Sequence, residues 1–203
     1  MRKISFIIVL VSMVLSSCSS NDNNDDFVSP TLTQDEINDL SFLREEEKLA
    51  RDVYIYAYNM YQINLFNSIS NSEQAHMNRV LSLMVIYGVP DSAATEIGVF
   101  NNPDLQEIYY SLIALVDISS VEALTVGAII EDLDINDIDH FINNTTKQDL
   151  LVVYDNLTCG SKNHIRAYTN QLEINGVTYT PQYISTEYYT EILSEPSGGC
   201  GNN

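Results

Sequence analysis

Basic residues are scarce in this 203-residue sequence: 9 Lys+Arg stand against 28 Asp+Glu, giving a formal net charge of −19. A phosphate backbone needs a basic face, so nucleic acid is not an expected partner, and cations are better company for such a chain. Cysteine is scarcer still, with three in all. Cys18, Cys159 and Cys200 form neither a CxxC pair nor a Cys–His cluster, which argues against thiolate metal ligation. No coherent strand pattern is present apart from short extended pieces around an Asn175-Gly176 turn, and there are no internal repeats. What is left is a helical chain with an excess of carboxylates.

The N-terminus carries an address. Arg2 and Lys3 precede an apolar stretch, Ile4 to Leu15, too short to cross a bilayer and typical of a secretory signal, here residues 1–17. Leu15-Ser16-Ser17-Cys18 looks like the lipobox of a bacterial lipoprotein, with cleavage before Cys18 and lipid attached to that residue; ordinary signal cleavage beside an incidental cysteine is the alternative. Residues 18–32 then read as a polar, acidic tether, similar to those that route some lipoproteins to the cell surface. The expectation is a protein lipid-anchored in the cell envelope, at the outer membrane or cell surface and outside the cytoplasm, with the membrane as partner through its acyl chains. Cys159 and Cys200 would then be an even pair in an oxidising compartment, so a disulfide is expected, pinning the Gly/Ser-rich C-terminus to the body. Residues 33–203 are long enough for one domain with a real core.

Four long helices are predicted in that domain. The first runs over Gln34–Tyr61, with Thr33 and Glu36 as a capping box, and its inward line is Leu40, Leu43, Glu47, Ala50, Tyr54, Ala57, Tyr61. The second, from about Leu65 to Tyr87, carries Phe66, Ile69, Glu73, His76, Val80 and Leu83 inward and stops at Gly88. The third opens at Ser119/Glu122 with the seam Val121, Leu124, Ala128, Glu131, Ile135, Ile138, and Asp134 lies one turn beyond Glu131. The fourth starts after Thr146, capped through Asp149, with Leu150, Val153, Leu157, Ser161, His164, Tyr168 and Leu172 inward. Between the second and third lie about thirty residues holding a shorter helix, from Pro103 to Val116, capped by Asn102; such a span suits a bundle with one long crossover. STEYYTEILSE reads as a short C-terminal helix.

Each seam has a polar misfit: Glu47, the Glu73/His76 pair, Glu131, His164. A helix does not bury a carboxylate or an imidazole without a partner. A metal ion is one, because Glu and His at i, i+3 converge on one ion in helical bundles. The other is ion pairing. Arg44, Lys48 and Arg51 lie within a turn of Glu47, Arg79 a turn after His76, and Lys162 and Arg166 beside His164, which could brace a metal-free bundle or orient ligands. His140 is expected to face solvent. Tyr54 and Tyr168 lie on inward lines near the misfits, where they could relay electrons or fill core, and Met77 and Met84 read as packing.

ExxAxxxY at Glu47, Ala50 and Tyr54, the Glu73/His76 pair, the Glu131 helix and His164 together resemble ferritin-like di-iron carboxylate proteins, rubrerythrins in particular. REEEKLARDVY, NSEQAHM, VGAIIEDLDI, VYDNL and GSKNHIRAY resemble, more narrowly, a prokaryotic ferritin-like family without a known reaction. The resemblance implies an all-α, ferritin-like four-helix bundle with a dinuclear iron or manganese site, and chemistry such as iron oxidation or the reduction of dioxygen or peroxide. The ligand set it implies is Glu47, Glu73, His76, Glu131, Asp134 and His164. Ser161 departs from the pattern, since the fourth helix usually supplies Glu three residues before its His. Asp134 could restore the count; otherwise a single metal ion is held. The alternative is a metal-free lipoprotein serving as a binding or scaffolding module. Gly160, beside Ser161, marks either a close helix approach or an opening for water, dioxygen or peroxide.

Overall fold

The computed structural model describes residues 31–200. Six helices and no strands occur among them: α1 (Gln34–Tyr61), α2 (Asn64–Tyr87), α3 (Pro103–Val116), α4 (Ser120–Asn144), α5 (Gln148–Ile174) and α6 (Thr186–Ser194). The lipobox, Cys18 and the greater part of the tether lie outside the described residues.

The helix ends follow their sequence signals with one exception. Thr33 and Glu36 form the capping box of α1, Asn102 caps α3 over Pro103, and Gly88 ends α2 at φ 68°, where a residue with a Cβ is disfavoured. The exception is α5, whose N-cap is Lys147 with no side-chain cap. Thr145 Oγ1 accepts from Lys147 N instead, and its hydroxyl donates to Glu36 Oε1 at 2.6 Å. The α4–α5 turn is thereby tied to the start of α1, and Lys147 Nζ reaches Glu36 as well, at 3.0 Å.

α1 packs on α2 and α4, and α5 packs on α4 and α2, so these four close a bundle. Gln62 and Ile63 join α1 to α2, and Thr145–Lys147 joins α4 to α5. The long crossover from α2 to α4 contains α3, which covers the α1/α4 face; α6 rests on α5. The Asn175-Gly176 turn is present, with Gly176 at φ 75°, but no strands flank it.

The apolar core is in two parts. One contains Leu40, Leu43, Val80, Leu83, Leu150 and Leu157, and the other contains Leu49, Ala50, Phe66, Ile69, Ile165 and Tyr168. On α1, α2 and α5 the break between them falls at residues 44–48, 70–79 and 158–164, which is where the polar misfits sit.

α1 differs from a one-faced helix. All residues from Leu43 to Ala50 are buried, because the crossover covers the face a simple hairpin would leave wet. Lys48 Nζ bonds Asp52 at 2.6 Å and the carbonyls of Glu96 and Val99. Glu45 accepts from Asn102 N, and Gly98 N donates to Asp52. On α4, Asp132 accepts from Tyr179 Oη and from the backbone N–H of Gln182, Tyr183 and Ile184, fixing the segment before α6. Cys159 and Cys200 are joined by a disulfide with Cα atoms 5.7 Å apart and 41 residues of separation. Closing a loop of that length contributes about 4 kcal/mol by the chain-entropy argument.

Candidate metal centre

The break in the core is filled by carboxylates and imidazoles from all four bundle helices. Glu47 comes from α1, Glu73 and His76 from α2, Glu131 and Asp134 from α4, Ser161 and His164 from α5, and every one of them is buried. Each replaces an apolar residue at an inward register position, so ordinary helical periodicity delivers them to one level.

Glu73 is the centre of the arrangement. His76 Nδ1 lies 2.8 Å from its Oε2, and His164 Nδ1 lies 2.8 Å from its Oε1. The imidazoles stack at 5.7 Å between ring centroids. Glu47 Oε2 stands 3.2 Å from His76 Nδ1, and Glu131 Oε2 stands 3.3 Å from His164 Nδ1. Two three-residue groups therefore form, Glu47–Glu73–His76 and Glu73–Glu131–His164, in each of which the donor atoms lie within 4.8 Å of one another. Glu73 belongs to both.

Two contacts orient the set. Tyr54 Oη donates to Glu131 Oε1 at 2.5 Å, and Ser72 Oγ meets His164 Nε2 at 3.0 Å. Tyr54 is thus a partner of the cluster, whereas the hydroxyl of buried Tyr168, 5.4 Å away by ring centroid, has no hydrogen-bond partner. Met77 and Met84 are buried. Gly160 settles into a close approach: a Cβ there would lie 2.5 Å from His76 Nε2.

Asp134 stands beside the cluster and belongs to neither group. One of its oxygens faces the Ser161 hydroxyl, whose single proton is shared between that oxygen and Leu157 O, 3.0 Å away, and the other has no partner. Ser161 on α5 thus holds the carboxylate on α4.

The scarce basic residues are spent elsewhere. Arg44 pairs with Asp91, Lys48 and Arg51 with Asp52, and Arg166 with Glu195; Lys162 lies over the Tyr188 ring, and Arg79 and His140 are exposed. Among the basic groups of the described residues, the two histidines are those that face the central carboxylates. Burial pushes the Glu73 carboxyl up, but His164 and His76 outweigh it and hold it below its ordinary range. Burial lowers the imidazoles, but Glu47 and Glu73 hold His76 well above its usual value, and Glu73 and Glu131 push His164 up to about 10. Burial, then Asp134, drives Glu47 well up; burial, then Glu131, moves Asp134 up to about 7.

Three carboxylates and two imidazoles within reach of two points fit iron or manganese, which take oxygen and imidazole donors. Glu47 Oε1 is buried without a hydrogen-bond partner, as an oxygen awaiting a cation would be.

Glu46 was not legible as a site residue. It is buried beside Asp137, and burial followed by the charges of Asp134 and Asp137 raises it well above the ordinary carboxyl range. Its signal was the unbroken charge run REEEK, which no one-faced helix can hold entirely in water.

The fold and site define an all-helical bundle with a buried carboxylate–imidazole layer. By sequence the chain belongs to the family described as an uncharacterized protein domain, DUF2202, which it matches over residues 36–196. It is 48% identical over 164 residues to an uncharacterized protein, MJ0754, of Methanocaldococcus jannaschii, covering 80% of this chain and 89% of that protein. It is also similar to the crystal structure of that hypothetical protein, at a TM-score of 0.82 and 46% identity, over 83% of this chain and 97% of the other.

Proposed function

We propose that this protein is a ferritin-like metalloprotein holding two iron or manganese ions in the break of its core. The observation that carries the reading is Glu73, which turns one oxygen to each histidine and belongs to both donor groups, as a bridging carboxylate does. Glu47 and His76 would complete one ion's set and Glu131 and His164 the other's. When bound, the ions would supply electrons to dioxygen or peroxide, or be oxidised as iron in transit, because hard carboxylate oxygens favour the higher oxidation state. The chain's part is to neutralise charge through Glu47, Glu73 and Glu131, to fix the ions through two Nδ1 atoms, and to orient Glu131 through Tyr54. The apolar clusters on either side keep bulk water out. Asp134, held by Ser161, stands ready as a further oxygen donor.

One observation favours a second reading, a metal-free bundle serving as a binding or scaffolding module: the Nδ1–oxygen distances of 2.8 Å are also those of ion pairs. His76→Ala separates the two. In the metalloprotein it removes bound metal and lowers the melting temperature only of the metal-loaded protein, because a ligand stabilises the state that binds it. Equal losses in loaded and metal-free protein would favour bracing.

The proposal includes lipid anchoring through Cys18 in the cell envelope. Cys18→Ala should move the protein from the membrane to the soluble fraction, and persistent acyl labelling of that variant would refute the anchor.

A further inference from the structure

A mostly enclosed cavity of about 70 Å³ lies between α1, α3 and α4. Its walls are apolar: Leu49 from α1, Leu105 and Leu112 from α3, Ile130 and Leu133 from α4. One acid interrupts them. Glu46 lines the cavity with both carboxylate oxygens buried, its carboxyl within hydrogen-bond reach of Asp137. Tyr183, at 46% exposure, and partly buried Ile108 and Leu133 mark the side open to the surface.

The placement ties this space to the carboxylate layer. Glu46 precedes Glu47 on α1, and Asp134, which bears on Glu46, bears also on Glu47. Leu133 and Glu46, which line the cavity, are the chain neighbours of Asp134 and Glu47, so the cavity lies next to the carboxylate layer.

Size and chemistry narrow the occupant. A buried water needs two to four polar partners, and the one carboxyl in this lining, Glu46, is already engaged by Asp137, whereas apolar cavities of about 150 Å³ stay dry and bind benzene or xenon. This one is roughly half that volume, room for a xenon atom or a diatomic gas and too small for an aromatic ring. We infer that the cavity binds a small uncharged apolar molecule of dioxygen's size and holds it beside the carboxylate layer. Delivery to bound metal rests on the proposed function; binding in the cavity does not.

Xenon tests the binding in metal-free protein. Saturable, xenon-dependent shifts of the Leu112 and Ile130 methyl resonances are expected, and Leu112→Phe should abolish those of Ile130. Ile108→Phe, closer to the rim, provides a second filled variant should the first misfold. In iron-loaded protein the filled variant should slow oxygen uptake severalfold at unchanged iron per chain. Absence of saturable xenon binding to the folded protein overturns the cavity, and unaltered oxygen uptake by a variant that no longer binds xenon overturns delivery. A wild type that takes up no metal removes the proposed function instead, and the xenon result alone then decides the cavity.

Discussion

The ring of His76 occupies the space that a side chain on Gly160 would fill. A Cβ at 160 would stand 2.5 Å from His76 Nε2 and 2.6 Å from its Cε1. Glycine inside a helix costs about 1 kcal/mol relative to alanine, and here that cost is offset by the approach of α5 to the imidazole. Gly160→Ala should push the ring away from Glu73. The expected outcome is less metal per chain and a loss of about 1–3 kcal/mol of stability from overpacking, read by metal analysis and denaturant titration. An alanine variant with full metal and parental stability would show that the contact has no bearing on the site.

Asp134 gives a complementary prediction. Ser161 takes one of its oxygens, and it lies outside both donor groups, so Asp134→Asn should leave the number of bound ions unchanged. The amide can still accept from Ser161. Loss of an ion in this variant, measured by metal content per folded chain, would mean that Asp134 turns inward and serves as a ligand itself. Ser161→Glu makes the same point from α5: position 161 is fully buried, so stability should fall with no gain in metal.

Much of this was legible because helical periodicity is strict. Leu40, Leu43, Ala50, Tyr54 and Ala57 define one line on α1, and Glu47 stands out on it as the only polar member. The same logic exposes Glu73, His76, Glu131 and His164, and all five meet at one level. Where the reading fell short, a second partner surface was the cause. Glu46, Asp52 and Asp132 lie off the inward lines and are buried only because the crossover and the segment before α6 cover them. Periodicity cannot register a cover contributed by a loop. Likewise the basic residues near Glu47 in sequence looked available to it, yet they point to Asp52 and Asp91, because neighbours along a helix face different sides. The expected cap of α5, Thr146, gives way to Lys147 for a related reason: the turn is tied down by Thr145, whose hydroxyl is drawn to Glu36 across 109 residues, an interaction outside any local signal.

The most direct test of the account is metal per chain after folding with ferrous iron or manganese under reducing conditions, in wild type and in Glu73→Gln. Because Glu73 is common to both donor groups, the account predicts two ions per wild-type chain and the loss of both from the folded variant, not of one. No bound transition metal in the wild-type protein would contradict it.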